Sequence, residues 1–269
     1  MPTIQEQFFD IGANLTHESF EADLDDVISK AQESGVKRFS ITGSSLNESI
    51  SAIEIAKKFP NSCISTAGIH PHNAKEYSPS SFSEIRDLLE EDVVKSIGET
   101  GLDFYRNFSA AKQQELSFEA HLELAIETRY PLFWHERDAH KRFIEIISPY
   151  KEDLPKSVVH CFTGNKDALE KYIEMGFYIG ITGWLCDERR GKHLIDLIPI
   201  IPLDKLMIET DCPYLLPRDM GIDNSTRNEP QFLKHIAGRI AEIRPESKEL
   251  LFSAIYMNSL DFFDVTFQE

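Results

Sequence analysis

Four short stretches of the chain each break an apolar run with a side chain able to hold a metal ion or move a proton. They are Glu99 in Ile97-Gly98-Glu99-Thr100-Gly101-Leu102-Asp103, His135 in Phe133-Trp134-His135-Glu136-Arg137-Asp138, His160 in Val158-Val159-His160-Cys161-Phe162-Thr163-Gly164, and Asp211 in Met207-Ile208-Glu209-Thr210-Asp211-Cys212-Pro213-Tyr214. Two imidazoles and two carboxylates make a mixed nitrogen and oxygen donor set. It suits Zn, Mn or Fe, and it suits Mg where carboxylate and water dominate. The chemistry of such a set is metal-assisted hydrolysis: a bound divalent ion acidifies a water, holds the scissile group and neutralises charge in the transition state. Glu99 and Asp211 are the candidate catalytic carboxylates, with Asp211 placed to accept the proton of the attacking water. Taken singly, a strand-end histidine is more often structural, and a strand-end carboxylate often caps the next helix. The reading rests on four of them together.

Other residues extend the set. His70 and His72, in Gly68-Ile69-His70-Pro71-His72, and Asp10 and Asn14, in Asp10-Ile11-Gly12-Ala13-Asn14, leave neighbouring strands and are candidates for an additional site; loop or turn positioning is the alternative. Tyr105, Arg137, Trp184, Arg189 and Arg190 are candidates for substrate contact, since aromatics and arginines stack on bases and hold phosphates. Against that, Trp184 could cap the core, and Arg189 or Arg190 could pair with Asp187 or Glu188. Asp138 is placed to orient an imidazole. His17, His121, His140, His193 and His235 fall on expected helices or helix starts and are expected at the surface.

The elements that must position these side chains alternate strictly. Apolar runs at 8–15, 36–42, 63–67, 93–98, 131–134, 157–159, 177–181 and 206–208 read as eight strands. Between and after them, helical periodicity covers 20–35, 46–59, 82–90, 110–128, 139–148, 166–175 and 190–198, followed by two further helices at 229–242 and 246–263. Eight βα units with short connections imply a parallel sheet closed into a (β/α)8 barrel with extra C-terminal helices. At 269 residues the chain is the size of one such barrel, so residues 1–269 are expected to form one domain. Active sites of these barrels lie at the C-terminal mouth, where all four strand-end residues point.

Composition narrows the function. Hydrophobic residues at 41% and charged residues at 27% are ordinary for a globular protein. The formal charge of −17 excludes the broad basic face of a general nucleic-acid binder, so an anionic substrate needs a metal ion or a few placed arginines. No apolar run is long enough for a membrane span, and the N-terminus lacks signal-peptide character. Cys63, Cys161, Cys186 and Cys212 form no paired motif and are expected as reduced thiols. A cytoplasmic location is therefore expected.

Asp10-Ile11-Gly12-Ala13-Asn14-Leu15-Thr16, Gly68-Ile69-His70-Pro71-His72, Gly98 to Asp103, His135-Glu136-Arg137-Asp138-Ala139, His160 to Gly164, Glu209 to Tyr214 and Arg227-Asn228-Glu229-Pro230 together resemble the TatD family of metal-dependent deoxyribonucleases, a group of amidohydrolase-like barrels. The resemblance covers essentially the whole chain. It implies a phosphodiesterase, a 3′-to-5′ exonuclease on single-stranded DNA or RNA ends, that most often uses Mg; a monomer is expected. It also implies that Glu99, His135, His160 and Asp211 are ligands or catalytic groups. Many members carry Asp-x-His-x-His on strand one, where this chain has Gly12 and Asn14. A nearly empty strand one is expected to leave a more open, water-rich site that holds Mg or Mn loosely. Two other readings stand beside this one: a small-molecule amidohydrolase or lactonase on the same barrel, and a catalytically weak binding protein.

Overall fold

Short runs of β-branched and aromatic residues, each followed by a polar or glycine turn and a stretch of helical period, fold as eight parallel strands with helices on the outside. The computed structural model describes residues 6–266. The strands are β1 Phe8–Ala13, β2 Val36–Ile41, β3 Cys63–Ala67, β4 Val94–Asp103, β5 Leu132–Arg137, β6 Ser157–Val159, β7 Tyr178–Ile181 and β8 Leu206–Ile208. They are ordered β1 to β8 in one sheet, and every neighbouring pair is parallel. The helices between them are α1 Leu24–Glu33, α2 Leu46–Lys58, α3 Pro79–Leu88, α4 Ala111–Thr128, α5 His140–Ile147, α6 Lys166–Glu174 and α7 Lys192–Leu197. Beyond β8 come α8 Leu233–Ile243 and α9 Lys248–Phe263.

The barrel closes between β1 and the chain just after β8. Asp211 N donates to Gly12 O at 2.9 Å, and Asn14 N donates to Cys212 O at 3.0 Å. The Asp10 carboxylate completes this seam, accepting from Thr210 N at 2.9 Å and Thr210 Oγ1 at 2.5 Å.

Two core layers surround the sheet. The larger lies between strands and helices; the inner one joins Phe9, Ile11, Ile64, Phe133, Val158, Tyr178 and Met207 to Phe262 and Phe263 of α9. Phe9 stacks on Phe263 at 5.4 Å between centroids, and Tyr178 meets Phe262 edge-on at 5.5 Å. The inner residues sit early in their strands, so the end of α9 plugs the N-terminal opening. That leaves the C-terminal mouth for chemistry. Each fully buried Phe of the plug stabilises the fold by about 1.5–3 kcal/mol.

Two strands run further than their apolar stretches indicate. β4 was expected over 93–98 and continues to Asp103; β5 was expected over 131–134 and continues to Arg137. Glu99 therefore sits within a strand rather than at its end. Between Ile97 and Thr100 β4 carries one extra residue relative to β5, which advances only from Leu132 to Trp134. Such a bulge re-aims a side chain without ending the strand, and polar residues that face a cavity interrupt the hydrophobic signal first. The helix expected at 82–90 begins earlier, at Pro79, because Ser78 caps Ser81 N at 3.1 Å and proline suits the first helical position. The helix expected from 229 begins at Leu233, after a short 3-10 turn at Pro230–Phe232.

Candidate active site

The bulge in β4 directs the Glu99 carboxylate into the mouth, where three imidazoles converge on its Oε1. His70 Nε2 lies at 3.1 Å, His135 Nδ1 at 2.9 Å and His160 Nε2 at 2.7 Å. Each ring arrives from a different element. His135 stands on β5, His160 directly follows β6, and His70 caps the 3-10 turn Pro71–Glu76 beyond β3, its Nδ1 accepting from His72 N at 3.0 Å. Acceptance at Nδ1 directs the other ring nitrogen of His70 inward. His70, Glu99 and His135 form a group whose ligand atoms all lie within 4.8 Å of one another. Imidazole nitrogens that share one carboxylate oxygen, with His70 Nε2 and His135 Nδ1 only 3.2 Å apart, are a donor arrangement that fits a divalent cation.

Electrostatics follow from burial and proximity. Burial alone would raise the Glu99 pKa, but His160 and His70 hold it well below the ordinary carboxylate range. Burial lowers His70 to about 4, so that ring is neutral; with Nδ1 accepting from His72 N, its one proton sits on Nε2, which donates to Glu99 Oε1. Burial opposes charge on His160 too, yet Glu99 and Glu209 raise its pKa well above the usual value. Asp211 is raised to about 7, first by burial and then by the negative charge of Glu99 and Glu209, while His160 works the other way.

Asp211 lines the same cavity as Glu99, His70, His135 and His160, and Asn14 Nδ2 donates to its Oδ1 at 2.9 Å. Asn14 is therefore a neighbour that orients Asp211. Asp10, a candidate for an additional metal site, is fully buried in the seam with Thr210, and burial pushes its pKa to about 8. Its carboxylate is used in closing the barrel.

Strand one is not empty. The Glu209 carboxylate, itself fully buried, fills the space over Gly12 and Gly180: a Cβ at either glycine would overlap its oxygens. From that slot Glu209 Oε1 accepts from Cys161 N at 2.5 Å, and Oε2 lies 3.3 Å from His160 Nδ1. Glycine at 12 is thus required by a carboxylate that supports His160. Glu209 was not singled out from sequence; the signal there is a carboxylate that directly follows the apolar strand Leu206–Ile208.

Asp103 was also missed. Its Oδ2 lies 2.8 Å from His72 Nε2 and 3.2 Å from His135 Nε2, while its Oδ1 accepts from Tyr105 N and Arg106 N at 3.0 and 2.7 Å. Burial opposes ionisation there, but bonds to His135 and His72 keep its pKa low. The orienting role expected of Asp138 belongs to Asp103; Asp138 is exposed to solvent. His121, expected at the surface, is fully buried on α4, where its Nε2 accepts from Ile69 N at 3.1 Å and fixes the loop that carries His70.

The cavity above these groups holds about 730 Å³. Tyr105, Arg137, Trp184 and Arg190 line it, with the Arg137 guanidinium 4.3 Å from the Tyr105 ring centre and 5.2 Å from that of Trp184. Arg190 lies 4.1 Å over the other part of this wall, Trp184. Arg189 is forked on Asp187 at 3.1 and 2.8 Å and lines only a smaller adjoining pocket, while Arg190 Nε also donates to Asp187 Oδ2 at 2.9 Å and lines both pockets. Asn228 Nδ2 donates to Thr210 O and Tyr214 O at 2.8 and 2.7 Å and so holds the loop that carries Asp211. All four cysteines are free thiols. Among the described residues no helix is long and apolar enough to cross a membrane.

The family model described as TatD related DNase matches residues 9–264. A Salmonella typhimurium protein named 3′-5′ ssDNA/RNA exonuclease TatD is 47% identical over 260 residues, covering 96% of this chain and 100% of its own. A Pantoea vagans protein of the same name is 49% identical, with coverages of 95% and 98%. Among solved structures, a TatD family hydrolase from Entamoeba histolytica superposes with a TM-score of 0.84 at 30% identity, covering 96% of this chain and 98% of its own. A TatD homolog from Escherichia coli shares the fold, with a TM-score of 0.90 at 23% identity and coverages of 98% and 100%.

Proposed function

This chain belongs to the TatD related DNase family and is a nuclease, a metal-dependent hydrolase of phosphodiester bonds, and from that premise we propose how its residues divide the work. The substrate is the 3′ end of single-stranded DNA or RNA, in keeping with the names of its relatives. The ion is Mg. Glu99, His135, His160 and Asp211 hold it, and His70 Nε2 donates to Glu99 Oε1 beside them. The observation that carries this reading is the convergence of three imidazoles on Glu99 Oε1 within 3.1 Å. A divalent ion supplies, when bound, an acidified water and neutralisation of charge on phosphoryl oxygens.

The chain's own groups do the rest. Asp211, with its pKa near neutrality and one oxygen held by Asn14, accepts the proton of the attacking water. Glu209 and Asp103 are positioning residues: they fix the rings of His160 and His135 from behind. Arg137 and Arg190 meet the phosphates, and Tyr105 and Trp184 flank them. The free cysteines support a reducing compartment such as the cytoplasm, and the protein acts as a monomer of one domain.

The test uses 3′-labelled and 5′-labelled single-stranded DNA with Mg, with and without EDTA, beside Glu99→Ala and Asp211→Asn. Stepwise shortening from the 3′ end by wild type, abolished by EDTA and by Glu99→Ala, is expected. Equal degradation by wild type and variants overturns the site assignment. Tightly held Zn after purification in metal-free buffer overturns the assignment of Mg.

A further inference from the structure

The mouth of the barrel carries aromatic side chains that the metal chemistry does not use. Three large aromatic residues are exposed among the described residues: Tyr105 at 58%, Phe108 at 60% and Tyr214 at 53%. All three line the cavity that contains Glu99. The chain has 18 phenylalanines, and its other described ones are at least partly buried, so an open Phe at the mouth is a local exception. Exposed aromatic surface gathered around a polar cleft marks a ligand contact rather than ordinary surface.

The rings are anchored from opposite sides. Tyr105 and Phe108 lie on the loop after β4, where Phe108 packs edge-on against His72 at 4.7 Å. Tyr214 lies on the loop after β8; its N–H donates to Asp211 O at 3.0 Å and its ring meets His17 edge-on at 5.7 Å. In an eight-strand ring ordered β1 to β8, β4 and β8 are diametrically opposed, so the loops face each other across the mouth. Charge makes stacking necessary as well as available. The net charge is −17, and Glu48, Glu99, Asp103, Glu136 and Asp211 all line the cavity. Long-range attraction of a polyanion is therefore weak, and contacts to uncharged π-faces must supply much of the affinity.

We propose that Phe108 and Tyr214, with Tyr105 beside Phe108, form a two-sided stacking clamp for the unpaired bases next to the scissile phosphate. The clamp rests on the nuclease reading above and adds the feature of the substrate that this site recognises: bases whose faces are free. A paired end already has its faces covered by neighbouring bases. A strand without bases offers the clamp nothing, whatever its phosphates do.

Binding is measured by fluorescence anisotropy in EDTA, with a single strand and with one of equal length whose 3′-terminal nucleotides are abasic. Wild type is expected to prefer the base-bearing strand by about tenfold or more, the size of one or two lost base–aromatic stacks. Phe108→Ala and Tyr214→Ala each reduce that ratio and together bring it close to unity, whereas Phe108→Trp and Tyr214→Phe retain it. In turnover with Mg, the alanine variants raise KM on single strands about tenfold with a much smaller effect on kcat. Equal binding of both strands by wild type overturns the clamp. So does an equal loss on both strands in the alanine variants, which would mean that Phe108 acts only by packing on His72. Failure of wild type to shorten any strand defeats the nuclease reading instead, and the binding ratio still decides the clamp.

Discussion

The carboxylate of Glu209 occupies the volume that a side chain on residue 12 would need, so Gly12 and Glu209 are a matched pair. A methyl group at position 12 must displace a buried acid that also accepts from Cys161 N and supports His160. Overpacking of this kind costs about 1–3 kcal/mol. Gly12→Ala is therefore expected to lower stability by about that amount in urea denaturation and to reduce kcat. Adding Glu209→Asp, one methylene shorter, is expected to recover part of the stability. Strictly additive losses in the double variant would show that the two positions do not share this space.

Asp103 provides a second test of the groups behind the rings. Its Oδ2 faces both His72 and His135, and loss of such an outer carboxylate typically lowers metal affinity or activity by about 10–100-fold. Asp103→Asn keeps the shape and the Oδ1 contacts to Tyr105 N and Arg106 N. It removes the negative charge facing His135, whose pKa is raised by Asp103 and Glu99 against the effect of burial. The Mg concentration for half-maximal activity is expected to rise by about that factor in Asp103→Asn. An unchanged Mg requirement would remove Asp103 from the site.

The barrel was legible because each strand is a short apolar run and each helix keeps its period. That Glu99, His135, His160 and Asp211 share one cavity was legible because each ends an apolar run leading to the same mouth, although each alone had a structural reading. What stayed hidden depended on contacts between distant segments. Asp10 and Asn14 look alike in sequence, yet one closes the seam against Thr210 and the other orients Asp211, a difference set by residues about 200 positions away. Gly12 looked like a vacancy because its occupant, Glu209, comes from the far end of the sheet. His121 has helical neighbours but faces Ile69, so its burial follows from packing rather than from local pattern.

Asp10 makes a prediction about pH. Burial raises its folded pKa from 3.8 to about 8, so the folded state retains a proton that the unfolded chain has released throughout that interval. The contribution of this group to stability is therefore largest below the unfolded pKa and declines as pH rises towards about 8, by up to about 1.4 kcal/mol per pH unit. Depressed carboxylates such as Asp103 and Glu99 act in the opposite direction, so the difference between variants is the useful quantity. Asp10→Asn stays neutral and can still accept from Thr210 N. Its stability relative to wild type, measured by denaturation across this range, is expected to increase with pH. A difference independent of pH would mean that Asp10 is ionised throughout.

Salt dependence distinguishes this site from a basic nucleic-acid surface. Arg106, Arg137 and Arg190 are the arginines that line the cavity, against a net charge of −17 for the chain. Each phosphate neutralised on a single strand contributes about −0.7 to the slope of log affinity against log salt concentration. Three arginine contacts therefore give a slope of about −2, from the same counting. Anisotropy titrations between about 50 and 200 mM salt are expected to show this shallow dependence. Arg137→Gln or Arg190→Gln should each reduce its magnitude by about 0.7. A slope of about −5 or steeper would require some seven phosphate contacts, more cations than the cavity offers, and would place most of the binding surface outside the mouth.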